Sequence, residues 1–306
     1  MTKVFIDGSA GTTGLRIRER LADRNDIELT VLPEELRKDP DARRAALNAA
    51  DIVFLCLPDA ASIEAVSMIE NPNVAVIDTS TAHRTAESWT YGFPELAGKR
   101  EQIAASKRIA NPGCHASGFI ALVAPLVEAG IVKKDARLTC VSLTGYSGGG
   151  KKMIAEYENE ERDLLLGAPR QYGLTQNHKH LKEMAALCHL TNAPAFCPIV
   201  ADFYSGMEVT VPLFAGDING SAEDIKRVYE ECYRRGLVRY ENESEEGFLS
   251  AGAFSGKDSM QVSVHGNEDR ILLVARYDNL GKGASGAAIQ NMNILLGVDE
   301  TTGLEV

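Results

Sequence analysis

Lys3-Val4-Phe5-Ile6-Asp7-Gly8-Ser9-Ala10-Gly11-Thr12-Thr13-Gly14 is the stretch whose reading settles the architecture of this chain. An apolar run of strand length enters a glycine turn, and Leu15 to Arg24 continues with a helical pattern. Strand, glycine turn and helix in that order open a dinucleotide-binding unit. Gly8, Gly11 and Gly14 give the spacing GxxGxxG. The first glycine permits the tight turn; the others let backbone approach a pyrophosphate and let the helix pack closely. Ser9, Thr12 and Thr13, between the glycines, join them as candidate cofactor contacts.

The residues downstream extend the same pattern. Ile27 to Leu32 reads as a second strand and Asp51 to Pro58 as a later one; Val74 to Asp78 follows the helical stretch Ala60 to Ile69. Short apolar runs alternating with helices indicate a doubly wound parallel sheet of the Rossmann type. The competing reading is the same domain with no cofactor. Asp78-Thr79-Ser80-Thr81-Ala82-His83-Arg84 ends one of these strands. Ligands sit at such ends, which makes Ser80 a cofactor candidate. Arg84 can clamp a carboxylate or phosphate, or it can be a solvated loop arginine. An acidic residue about 20 positions after the glycines would select NAD. Glu28 is near that place but inside the strand, while Arg37 and Lys38, just beyond Glu34 and Glu35, suit a 2′-phosphate. The residues themselves leave NAD against NADP open.

A second focus is Asn111-Pro112-Gly113-Cys114-His115-Ala116-Ser117-Gly118. From Phe119 the apolar residues Phe119, Ile120, Leu122, Val123, Leu126 and Val127 follow helical spacing, and Gly130 stops the helix. Cys114 therefore stands at a helix N-terminus, where unpaired N–H groups and the dipole favour the nucleophilic thiolate. A small buried thiol with no chemistry is the bland alternative.

Beyond this helix the pattern changes. Arg137 to Leu143, Ala195 to Val200, Glu208 to Ala215, Met260 to His265 and Arg270 to Tyr277 read as strands of a largely antiparallel second sheet. Gly145 to Lys151 imitates a phosphate-binding P-loop, but Lys152 stands where a Mg²⁺-ligating hydroxyl is required. Gly148 and Lys151 can still cradle an anionic substrate. His178, His180 and Glu183 open a short helix, with Glu183 spaced to orient the His180 imidazole. Surface histidines capping a helix are one blander reading. A zinc site drawing on His178, His180, Cys188, His189 or Cys197 is another, but it lacks a Cys-x₂₋₄-Cys pair, so no metal is expected. Tyr240 to Gly247 reads as an acidic surface loop, and Ala287 to Leu296 as a helix packing on the first domain.

The totals narrow the function classes. At 306 residues the chain suits two domains, with ordinary apolar (44%) and charged (25%) fractions. A net charge of −11 argues against a nucleic-acid partner, which needs clustered Lys and Arg. No apolar run approaches the ~18–20 residues of a membrane span. The start within a strand leaves no room for a signal peptide, and six scattered cysteines read as reduced thiols, so a cytoplasmic protein is expected.

Together these parts imply covalent redox chemistry: a thiolate attacks an activated acyl carbon, and hydride from a nicotinamide reduces the thioester to an aldehyde. The chain also resembles the N-acetyl-γ-glutamyl-phosphate reductase family, specifically its shorter-chain subgroup. The resemblance runs nearly end to end, through GSAGTTG at Gly8–Gly14, DTSTAHR at Asp78–Arg84, YGFPEL at Tyr91–Leu96, NPGCHASG at Asn111–Gly118, His178–Glu183, and DNLGKGASGAAIQNMN at Asp278–Asn293. It implies Cys114 as the nucleophile and His178 or His180 as the acid–base group, His180 being favoured because Glu183 can orient it. It further implies NADPH as cofactor, Asn279 among its contacts, and Arg84, Asn111, Gly148 and Lys151 as elements binding an acyl-phosphate substrate. The expected organisation is a Rossmann domain of residues 1–114 plus 283–306, and an α+β catalytic and oligomerisation domain of residues 115–282. Members are homodimers or homotetramers, and the second sheet is the expected contact surface. Aspartate-semialdehyde dehydrogenase, which shares fold and chemistry, is the nearest rival; a non-catalytic nucleotide sensor is a more distant one.

Overall fold

The computed structural model describes residues 1–306, which divide into two compact units. The first comprises residues 1–94, 98–112 and 284–304. Its elements are β1 (Thr2–Asp7), α1 (Thr12–Leu21), β2 (Ile27–Thr30), α2 (Pro40–Ala49), β3 (Ile52–Leu55), α3 (Asp59–Ser67), β4 (Ala75–Asp78), β5 (Thr90–Tyr91), α4 (Lys99–Ala105) and β6 (Arg108–Ala110), followed by the last helix of the chain, Gly286–Leu296. The six strands pair in parallel in the order β2-β1-β3-β4-β6-β5. A sheet covered on both faces needs strands that are apolar at every position, and β3 and β4 are buried throughout.

Strand alternation assigns the helices to faces. Val4, Ile6, Ile52, Phe54 and Ile77 pack with Ile17 and Leu21 of α1, Ile103 of α4, and Ile289 and Met292 of the last helix. Phe5, Val53, Leu55 and Val76 point the other way, onto Leu47 of α2 and Ala65 of α3. The expected Rossmann-type sheet is present. β5 and β6, of two and three residues, are too short to leave a periodic signal.

The second unit comprises residues 95–97, 113–283 and 305–306. It contains α5 (Cys114–Glu128), β7 (Thr139–Gly145), α6 (Gly150–Tyr157), β8 (Arg170–Gln171), α7 (His180–Leu187), β9 (Ala195–Ala201), β10 (Met207–Phe214), α8 (Ala222–Cys232), β11 (Val238–Tyr240), β12 (Met260–Gly266) and β13 (Arg270–Tyr277). The sheet runs β11-β12-β13-β10-β7-β9-β8. It is mixed: β10, β12 and β13 run antiparallel to their neighbours in the centre, whereas β7–β9 and β11–β12 are parallel. β11 ends at Tyr240, where the expected acidic loop begins.

α5 is buried on every side from His115 to Val123, as an apolar core helix must be. Pro125 interrupts it chemically, because proline has no N–H for the Ala121 carbonyl one turn back. The Tyr233 hydroxyl of the segment after α8 donates to that carbonyl at 2.5 Å, and Tyr229 donates to the Leu122 carbonyl at 2.5 Å. Tyr233 thus supplies the donor that Pro125 lacks, and the proline sits inside the helix without leaving that carbonyl unpaired.

Candidate active site

In the first unit the glycine turn is enforced by packing. Gly8 has φ +89°, and a Cβ there would lie 2.3 Å from the Cys56 carbonyl oxygen at the end of β3. A Cβ on Gly14 would lie 2.4 Å from the Gly8 carbonyl oxygen, so only glycine lets α1 approach the turn. Gly11, by contrast, could carry a Cβ in ordinary van der Waals contact, its nearest neighbour the Gly8 carbonyl oxygen at 3.5 Å. The turn closes through Gly11 N–H to Gly8 C=O (3.1 Å) and Leu15 N–H to Gly11 C=O (2.8 Å). Beside it lies a cavity of about 230 Å³ lined by Gly8, Ser9, Gly11, Leu32, Arg37 and Lys38. Thr12 and Thr13 open α1 at the same turn. A bare backbone cradle at a helix N-terminus with two basic side chains has the donor set a phosphorylated dinucleotide needs.

At the end of β4, Asp78 is fully buried and accepts four hydrogen bonds: from Ser62 Oγ (3.1 Å), the Ser80 N–H (2.9 Å), Ser80 Oγ (2.7 Å) and His83 Nδ1 (2.6 Å). His83 stacks on Trp89 with ring centroids 4.1 Å apart. Arg84 is buried; its Nε donates to the Asn111 carbonyl (2.9 Å) and its Nη2 to the Thr79 carbonyl (3.0 Å). Asn111 in turn donates from Nδ2 to the Ala284 carbonyl and accepts from Asn291 Nδ2 at 3.3 Å.

In the second unit Cys114 is the first residue of α5 and half-buried, with Gly113 at the N-cap. The Gly113 N–H donates to Glu183 Oε2 at 3.2 Å, so the carboxylate from α7 fixes the entry to the cysteine helix. His115 faces the other way into the unit. Its Nδ1 meets Ser142 Oγ of β7 at 2.7 Å and its Nε2 meets the Tyr172 hydroxyl at 2.6 Å. Around it pack the rings of His178, His180 and Phe196, with centroids 5.9, 5.6 and 5.3 Å away. Burial, aided by His178, drives the His115 pKa down to about 3, so this imidazole stays neutral. Burial, and next to it Lys179, also lowers the pKa of half-buried His178. Burial raises that of Tyr172, with Cys114 adding to the effect.

His180 is buried at 4% exposure and its Nε2 lies 3.9 Å from Glu183 Oε1, beyond hydrogen-bond reach. His178 is the more accessible ring, and its Nδ1 accepts the His180 N–H at 3.2 Å. That bond leaves the ring proton of neutral His178 on Nε2.

Comparison with known proteins places this geometry. Residues 114–279 match the family model described as semialdehyde dehydrogenase, dimerisation domain, and residues 32–106 match semialdehyde dehydrogenase, NAD binding domain. The N-acetyl-gamma-glutamyl-phosphate reductase of Brucella ovis is 47% identical, covering 96% of this chain and 99% of its own. N-acetyl-gamma-glutamyl-phosphate reductase 2 of a Nostoc species is 44% identical, covering 99% of both. The chain belongs to the N-acetyl-gamma-glutamyl-phosphate reductase family. Among solved structures, aspartate semialdehyde dehydrogenase II of Vibrio cholerae superposes with a TM-score of 0.73 over 97% of this chain and 98% of that one, at 17% identity. That likeness is one of fold.

Within the reductase-family chain, the structure gathers Cys114, His178, His180 and Glu183 in the second unit, and Gly8, Ser9, Gly11, Thr12, Thr13 and Gly14 at one turn of the first. Arg84 and Asn111, expected at the substrate, are engaged with main-chain carbonyls and with each other's loops. Ser80 is buried against Asp78. Asn279, expected at the cofactor, belongs to the second unit, where it donates to Ser147 Oγ at 3.0 Å and accepts the Gly206 N–H at 2.9 Å. Gly148 lies in the short 3-10 turn before α6, and Lys151 is exposed on α6 itself. His115, Ser142 and Tyr172 carry no spacing signal, because their partners lie 27 and 57 positions away in the chain.

Proposed function

We propose that this chain reduces N-acetyl-γ-glutamyl 5-phosphate to the 5-semialdehyde with NADPH, releasing phosphate. The observation that carries the reading is a half-buried thiol at the first residue of a buried helix, beside a histidine cluster, in a chain 44–47% identical to such reductases over nearly its whole length. The helix N-terminus favours thiolate at Cys114. The sulfur attacks the acyl carbon; a C–S bond forms, and the C–O bond to phosphate breaks, with phosphate leaving on the bonding pair and taking a proton from solvent. Hydride for the thioester carbon would come from the nicotinamide of NADPH when that cofactor is bound, leaving NADP⁺. The tetrahedral oxyanion then re-forms C=O and breaks C–S, which returns the thiolate.

Both tetrahedral states place negative charge on the former carbonyl oxygen, and a neutral imidazole donating from Nε2 stabilises it. We assign this task to His178 rather than His180: His178 is more exposed, and its Nδ1 is already committed to a backbone N–H. Glu183 accepts the Gly113 N–H through Oε2 and so fixes the entry to the cysteine helix. The glycine turn, with Ser9, Thr12 and Thr13, holds the pyrophosphate, and Arg37 and Lys38 take the 2′-phosphate that separates NADP from NAD.

In assembly, the chain pairs with a second copy through the outer face of its second sheet. Phe214, 63% exposed, and Leu272, 41% exposed, share that face with half-buried Val141 and Cys197. A family description that names a dimerisation domain over 114–279 supports the same surface. No helix is long and apolar enough to cross a membrane. Six free cysteines suit a reducing compartment, the cytoplasm.

The test is phosphate-dependent NADP⁺ reduction by the purified chain, with N-acetylglutamate semialdehyde and aspartate semialdehyde compared. Turnover of the first, lowered about 10³-fold or more in Cys114→Ser, is expected, because a hydroxyl is scarcely ionised near neutral pH. Turnover of the aspartate compound alone would overturn the substrate assignment. Unimpaired function in Cys114→Ser would overturn the chemistry.

A further inference from the structure

Three segments far apart in the chain meet at the first turn of α5. The Tyr277 side chain, at the end of β13, is fully buried. Its hydroxyl donates to the Cys114 carbonyl at 2.6 Å and accepts the Gly118 N–H at 3.1 Å. Cys114 C=O and Gly118 N–H are the i, i+4 pair that follows the helix's opening bond, Ser117 N–H to Gly113 C=O at 2.9 Å. One phenol therefore brackets the turn that carries the sulfur.

Two glycines make room for it. A Cβ on Gly118 would lie 2.7 Å from the Tyr277 hydroxyl oxygen and 2.7 Å from Val209 Cγ2. Such approaches leave no space for any other residue. A Cβ on Gly283 would lie 3.1 Å from Cys114 Cβ and 3.4 Å from Tyr277 Cε2, so the backbone of the segment after β13 is pressed against the base of the cysteine side chain. An ordinary apolar core would place Phe here and a helix former at 118. A phenol demands a partner when buried, and both of its bonds are spent on this one turn.

We propose that Tyr277, seated by Gly118 and Gly283, is a positioning residue: its hydroxyl sets the first turn of α5 and with it the direction of the Cys114 side chain. The inference rests on Cys114 as the nucleophile. A positional error of about 1 Å in a reacting atom is enough to lower a rate by about 10²-fold. The hydroxyl also neutralises part of the Cys114 carbonyl's negative end, which would otherwise stand beside the thiolate on the same residue.

Tyr277→Phe, Gly283→Ala and Cys114→Ser full-length chains are compared with wild type in three measurements. These are steady-state turnover of N-acetylglutamate semialdehyde, the pH dependence of iodoacetamide labelling of Cys114 by peptide mass spectrometry, and thermal unfolding. Tyr277→Phe is expected to lose about tenfold or more in kcat with KM within about twofold, and to move the midpoint of labelling to higher pH. Gly283→Ala keeps the phenol but pushes on Cys114 Cβ; it is expected to lower kcat likewise, which keeps the proposal open to refutation should Tyr277→Phe fail to fold. Wild-type kcat and labelling midpoint in a folded Tyr277→Phe overturn the positioning role. If Tyr277→Phe does not fold, wild-type kcat in Gly283→Ala overturns it. An active Cys114→Ser instead overturns the nucleophile assignment, so the two failures are distinguishable.

Discussion

His115 stands next to Cys114 in the chain yet is suited to hold rather than to react. Its two nitrogens are occupied by Ser142 and Tyr172, and burial keeps it neutral with a pKa of about 3. In the unfolded chain the same imidazole titrates near 6.5. As pH falls below that value, the unfolded state binds a proton that the folded state refuses. Stability is therefore fully present above about pH 6.5 and is lost as pH falls toward 3, at ~1.4 kcal/mol per pH unit for this group. His178, whose pKa is also lowered, adds in the same direction. Urea unfolding at pH 7 and pH 5 checks this. His115→Asn should be less stable than wild type at pH 7, having lost the Tyr172 bond, but should lose less between the two pH values. An equal loss in both chains would refute the assignment. Tyr277 differs from His115 in this respect, since its hydroxyl braces backbone rather than another side chain.

Among the elements, the β1–α1 turn and the loop after β2 act together. The turn brings backbone to a cavity whose far wall includes Arg37 and Lys38. Arg37 also pairs with exposed Glu34, a contact screened by solvent, so its guanidinium is available to a stronger anion. A charge-assisted bond to a phosphate is worth about 1.5–3 kcal/mol, a factor of roughly 10–100 in affinity. Arg37→Ala together with Lys38→Ala should therefore raise KM for NADPH about tenfold or more and leave that for NADH nearly unchanged. Steady-state kinetics with both nucleotides measures it, and an equal rise for the two would remove these residues from the 2′-phosphate site. α5 illustrates the converse dependence. Its periodicity is readable from Phe119 onward, but its tolerance of Pro125 depends on Tyr233, supplied from beyond α8.

At the scale of the whole molecule, the outer face of the second sheet exposes two large apolar side chains, Phe214 and Leu272. Pro212 pairs with Leu272 and Thr210 with Val141, so Phe214, Leu272 and Val141 lie on one side of the sheet. Single exposed apolar residues need no explanation, so the pairing proposed for this face is tested by charging both Phe214 and Leu272. Phe214→Glu combined with Leu272→Glu should convert a dimeric or tetrameric wild type to monomer, as read by size-exclusion chromatography with light scattering. An unchanged mass would place the contact elsewhere.

The sequence by itself determined the longer strands of the parallel sheet, the glycine turn, the helix that starts at Cys114 and five of the seven strands of the second unit, because each is written in local periodicity and in residues with restricted backbones. It also singled out Cys114 and the His178–Glu183 segment, whose residue types sit within a few positions of one another. Only the tertiary structure decided that Glu183 accepts the Gly113 N–H as well as lying 3.9 Å from His180, that Arg84 donates to main-chain carbonyls, and that His115 and Tyr277 frame the cysteine. The physical reason is reach. Hydrogen-bond partners 27 to 163 positions apart leave no period in a sequence, and a buried polar group takes whichever partner the packed chain brings to it.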